Sequence, residues 1–146
     1  MYTDKLLRVS TDQAITVDAV STDTIDLSVA RDIGEGEELY MHFAVTEAFT
    51  AAGAATLTFQ VIGSTAANLG SPVVLGSTGP IALADLALGK RHAVRINPSI
   101  ASLGYRYLGA NYDVATGPML TGKVTADVVN TIQDGQKFYA SGFSVV

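Results

Sequence analysis

Residues 119–129 alternate with a period of two: Leu120, Gly122, Val124, Ala126 and Val128 share one side, and Thr121, Lys123, Thr125 and Asp127 share the other. That is the pattern of a strand with one buried face. Just upstream, Arg106, Leu108, Ala110, Tyr112 and Val114 alternate with Tyr105, Tyr107, Asn111 and Asp113. Gly117-Pro118 supplies a reversal between the two runs, so they are expected to pair as one long antiparallel hairpin. Such a ribbon has two faces, and the rest of the chain offers too little helix to cover either. A second sheet has to pack on it.

The same alternation supplies candidates for that sheet. Ala14–Val20 and Thr24–Val29 read as strands around the turn Ser21-Thr22-Asp23. After the turn Asp32-Ile-Gly-Glu-Gly-Glu37, residues 38–46 place Leu39, Met41, Phe43 and Val45 on one side and Tyr40, His42 and Ala44 on the other. The small residues of 48–55 read as a connection, and 56–62 as a strand with Leu57, Phe59 and Val61 inward. Residues 66–80 read as a long loop holding an edge strand around Val73-Val-Leu75. Ala82–Leu88, closed by Gly89, is the one helical candidate, and Arg91–Asn97 returns to strand with His92, Val94 and Ile96 on its apolar side. Seven or eight strands and at most one short helix mean an all-β antiparallel sandwich or barrel. The expected organisation is an N-terminal arm over 1–12, the sandwich over 13–130, and a C-terminal strand or arm over 131–146.

Composition narrows the partners. At 146 residues one core suffices, and with no cysteine there is neither disulfide nor thiolate chemistry. Charged residues are only 16% against 48% hydrophobic, a surplus suited to a subunit interface. A net charge of −5 argues against nucleic acid, which requires clustered cations. No apolar run has the length of a signal peptide or a membrane span, so the chain is expected to be soluble and unsecreted, with no membrane partner.

Reactive constellations are sparse. His42 and His92 fall on different strands without ligand spacing, which leaves no expected metal or other cofactor; His92 is expected on the apolar face, hydrogen-bonded, and His42 on the outer face. Asp32, Glu35, Glu37 and Glu38 cluster in an acidic turn that could take calcium, although their spacing matches no EF-hand and charged turns are usually just solvated. There is no Gly-x-Ser-x-Gly elbow, no phosphate-binding Gly-rich loop, and no Trp for sugar stacking, so an enzyme is not expected. What stands out is surface. Tyr40 and His42 on one strand, and Tyr105 and Tyr107 on another, fall where a monomer would prefer charge, which suits either a contact surface or cover by the long loop or the tail. Lys90, Arg91 and Arg95 form the concentrated positive patch, suited to an acidic partner or to guarding a strand edge, and Phe138 and Phe143 are aromatic anchors in the C-terminal segment.

Arg106-Tyr-Leu-Gly-Ala-Asn-Tyr-Asp-Val114 followed by Met119-Leu-Thr-Gly-Lys-Val-Thr-Ala-Asp-Val128 resembles the closing strands of the capsid cement (decoration) proteins of tailed bacteriophages, the family of the Bordetella phage cement protein. Thr56–Ser64, the Leu75–Ile81 turn and Leu86-Ala-Leu-Gly-Lys90 are similar to that family's order of elements, and the likeness covers roughly residues 55–129. Gly109 departs from it, standing where a basic residue is common. The resemblance implies a jelly-roll sandwich that acts as a structural protein. It would assemble as a homodimer, or alternatively a trimer, on the outside of the phage head and bridge major capsid protein subunits after synthesis in the bacterial cytoplasm. A tail-associated receptor- or carbohydrate-binding sandwich is the alternative function.

Overall fold

A computed structural model describes residues 3–34 and 36–132. Nine strands form among these residues: β1 (Arg8–Ala14), β2 (Ala19–Val20), β3 (Ile25–Asp26), β4 (Tyr40–Ala51), β5 (Thr56–Ser64), β6 (Val73–Ala82), β7 (Arg91–Arg95), β8 (Tyr107–Ala115) and β9 (Met119–Val129). They make two antiparallel sheets, one ordered β1-β9-β4-β7 and the other β2-β8-β5-β6, with β3 also paired to β8. β2 and β3 continue one another along β8: Ala19 and Val20 face Tyr112 and Asn111, then Ile25 and Asp26 face Leu108 and Tyr107. Ser21–Thr24 loops out between them. Counted as one interrupted strand they bring the total to eight, and the order of the two sheets is that of a jelly roll.

The expected sandwich is therefore present, but the expected hairpin is not. β8 and β9 lie in different sheets, and β5–β6 is the one pair of consecutive strands hydrogen-bonded to each other among the described residues. Thr116 (φ 66°) and Gly117 (φ 106°) carry the chain between layers instead of closing a two-stranded ribbon. Each run has one apolar face, and two such faces are buried better against each other across a core than side by side in one layer.

Phe43 of β4 stacks on Phe59 of β5, ring centroids 4.7 Å apart, and Tyr112 of β8 meets both edge-on at 6.1 and 6.0 Å. These rings join the sheets at the centre of a core that includes Met41, Val45, Leu57, Val61, Leu108, Ala110, Val124 and Ala126. Nearly all were legible as the apolar phase of an alternating run. One phase error is instructive. Leu120 was expected inward but is 60% exposed while Met119 is buried, because the pairing of β4 with β9 shifts between Thr50/Thr121 and Ala51/Met119. The extra residue is a bulge that turns Leu120 outward.

Five boundaries move. Residues 8–12, expected within an arm, belong to β1, which pairs with β9 through Arg8 opposite Asp127 and places Val9 in the core. The strand expected over 14–20 is replaced by the end of β1 and the short β2, and the connection expected over 48–55 is in part strand, since β4 runs on to Ala51. The long loop shortens too, with β6 occupying 73–82 at the edge of its sheet. The helical candidate reduces to a single 3-10 turn at Leu83–Asp85, after which Gly89 (φ 83°) takes the expected left-handed conformation.

Candidate interface on the first sheet

The outer face of the first sheet gathers four of the expected contact residues, Tyr40, His42, Arg91 and Arg95. Inward Met41, Phe43 and Val45 leave Tyr40, His42 and Ala44 pointing out. Register then sets their neighbours: Tyr40 lies between Arg95 and Val129, His42 between Ala93 and Asp127, and Ala44 between Arg91 and Thr125. β7, carrying Arg91 and Arg95, is the edge strand of this sheet.

Charge on this face is mostly paired. Arg95 reaches Glu38 at 3.2 Å, Lys90 lies 3.8 Å from Asp85, and Lys123 meets Glu47 at 2.7 Å. The Tyr40 hydroxyl donates to Glu38, and that bond raises the phenol's pKa by favouring its neutral form. Arg91 is exposed and makes no ion pair among the described residues, which leaves it the available cation of the basic trio.

His42 corrects the expectation made of it. Although on the outer face, it is 2% exposed, and neither ring nitrogen has a hydrogen-bond partner among the described residues. Its strand is interior to the sheet, and its neighbour Asp127 is itself buried and held by Arg8 at 2.7 Å. Burial, reinforced by the Arg91 guanidinium, lowers the imidazole's pKa against the opposing pull of Asp127. His42 is thus unavailable as a contact. His92 sits as expected, half-buried, with its ring 5.4 Å from Phe59 and Nε2 3.1 Å from the Asp85 carbonyl oxygen.

The tyrosines do not form one surface. Tyr107 is on the second sheet, where the Arg106 guanidinium, clamped by Asp26 at 2.6 and 2.7 Å, stands 5.1 Å from its ring. Tyr105 is half-buried and packs on Gly63, where a Cβ would come within 3.0 Å of its ring. Period-two reading assigns both to the outer side, but Tyr105 precedes the first residue of β8, so the alternation does not apply to it. Phe138 and Phe143 lie outside the described residues.

The acidic turn lines an open cavity of about 350 Å³ with Asp32, Gly34, Glu37, Glu38 and Arg95. Glu35 is outside the described residues, and among the others no three carboxylates or histidines are placed to hold a metal ion. Arg95 instead neutralises Glu38. Sequence reading also missed an apolar groove of about 380 Å³ between the sheets, lined by Leu7, Ile25, Leu39, Leu108 and Val128 among others. Its residues come from five segments and no local pattern marks them.

In comparisons with known proteins, the model of one family, Bbp16, matches residues 9–128, which span the sandwich from β1 to β9. No curated protein matches the chain.

Proposed function

This chain belongs to the Bbp16 family, and from that premise we propose that it is a structural protein of a bacteriophage virion, a cement protein that binds the outside of the head and bridges major capsid protein subunits. The observation that carries the reading is the extent of the family match. It runs through both closing strands, 106–114 and 119–128, whose residues resemble cement proteins. On this reading the chain is not an enzyme and takes no cofactor; its partners are the capsid protein and a second copy of itself.

The mechanism is many weak contacts repeated over a lattice, so that avidity supplies what each lacks. Tyr40, Arg91 and Arg95 on the outer face of the first sheet are suited to an acidic region of the shell. Arg91 pays the least for engagement, since it gives up no ion pair among the described residues.

The test is co-sedimentation of the purified protein with expanded capsids that lack it, beside unexpanded procapsids. Saturable binding to expanded shells, with a gain in their thermal resistance, is the expected result, and Arg91→Glu should weaken it at least several-fold. Absence of binding to either form sinks the reading, and a glycan array then tests the receptor-binding alternative. Sedimentation of the free protein at several concentrations measures the dimer.

A further inference from the structure

We propose that His42 works a latch on the N-terminal wall of the apolar groove: when its imidazole takes up a proton, Arg8 gives up Asp127 and residues 4–8 swing away from β9. Those residues are tied down lightly. Lys5–Leu7 form one 3-10 turn with no buried residue, capped by the Asp4 side chain, which accepts from the Leu6 amide at 2.9 Å. Yet Asp4 and Leu7 are part of the groove wall, together with Leu39, Leu108 and Val128. The side-chain tether at this end of β1 is the bond from Arg8 Nε to Asp127 Oδ1 at 2.7 Å. Val9 is buried, and its carbonyl accepts from the Asp23 amide at 2.9 Å, so an opening that starts at Asp4 stops there.

Asp127 stands between that tether and His42. The two are direct partners in the β4–β9 register, so their side chains share a face, and both are buried. While neutral, the imidazole makes no demand on the carboxylate. Protonated, it sets a second cation beside a single carboxylate in a site closed to water. Burial disfavours that imidazolium, as do Arg91 and His92 on β7, and Asp127 on β9 favours it. The flanking pairs Arg95–Glu38 and Lys123–Glu47 are each neutral within themselves. One carboxylate cannot neutralise two cations, and Arg8 is the one that can leave. Its side chain is 30% exposed on the edge strand β1, whereas β4 is held between β7 and β9. Once Arg8 has left, Asp127 is free to balance His42, so the open arrangement binds the proton more tightly. Opening therefore grows as pH falls below about 6.5, the ordinary value for histidine.

Because the chain has no tryptophan, Leu7→Trp in the full chain gives a single reporter on the groove wall. Between pH 7.5 and pH 5 its emission should move to the red and its quenching by acrylamide should rise several-fold, while far-UV circular dichroism stays constant. Adding His42→Gln should abolish both changes. Arg8→Gln, added instead, should give the red-shifted, quenchable state already at pH 7.5. Hydrogen exchange reads the same event without the reporter: protection of the Leu7 and Arg8 amides, which donate to the Asp4 and Lys5 carbonyls, should fall at pH 5 in the natural sequence and hold in His42→Gln. Acid changes that persist in His42→Gln assign the opening to a carboxylate, such as the Asp4 cap, and overturn the proposal. A reporter and amides unmoved down to pH 5 overturn it as well, and so does a shift accompanied by loss of the circular dichroism signal, which is global unfolding.

Discussion

His42 is the residue whose chemistry departs furthest from its position in the sequence. An imidazole 2% exposed, with two nitrogens unpartnered among the described residues, costs about 1–3 kcal/mol in desolvated polar atoms. Its lowered pKa also has a stability consequence. The unfolded chain titrates this group near 6.5, above its folded value, so below about pH 6.5 the unfolded state binds the extra proton. This residue's contribution is complete above that pH and is lost as pH falls toward the folded value. His42→Leu should therefore raise Tm, and by more at pH 5 than at pH 7.5, in thermal melts of the two proteins side by side. Gly122 is the opposite case, a residue that tolerates no side chain. Its φ is 138°, and a Cβ there would come within 2.1 Å of the ring of Phe49. Gly122→Ala should cost about 2–4 kcal/mol by overpacking together with backbone strain, measured by urea unfolding.

At the scale of elements, β5 and β8 are buried on both faces, and that explains the residue at which this chain departs from the pattern it resembles. Ile62 and Gly109 face each other on the outer side of the second sheet, yet Ile62 is fully buried because loop 65–72 lies over it and inserts Leu69. A Cβ on Gly109 would come within 2.5 Å of Leu69, so a long basic side chain there would expel the loop. The loop is held by the Ser64 hydroxyl, which donates to the Gly70 carbonyl at 2.7 Å. Leu69→Ala should cost about 2–4 kcal/mol, and hydrogen exchange should show faster opening confined to 64–72 and the facing part of β8. Alternation announces one buried face of each strand; the burial of the other depends on a loop whose polar, Gly- and Pro-containing sequence reads as solvent-exposed.

At the scale of the whole molecule, a chain of hydroxyls ties one sheet to the other. The Tyr112 hydroxyl on β8 donates to Ser10 on β1 at 2.7 Å, Ser10 donates to the Gln13 side-chain oxygen at 2.7 Å, and the Gln13 amide donates to the Val20 carbonyl of β2 at 2.8 Å. Burial raises the Tyr112 pKa, which keeps it protonated as this donor. Tyr112→Phe should lower stability by about 1–2 kcal/mol with the fold intact, measured by chemical denaturation. On the opposite side, β6 approaches β7 closely at Gly76, where a Cβ would meet Val94 at 2.8 Å.

The sequence by itself determined the class of fold, most of the strands, and the inward set from Met41 to Val128, because a period of two is a local property that survives any arrangement of layers. It also put Tyr40, Arg91 and Arg95 among the candidate contact residues, without showing that they share a face. Only the tertiary structure decided the pairing, separating β8 from β9 and joining β1 to β9 across more than a hundred residues. It likewise decided that His42 is buried, that Tyr105 turns inward, and that an apolar groove opens where five segments meet. Each of these depends on which strands become neighbours, and that is settled by burial of apolar faces across the whole core rather than by any stretch of residues.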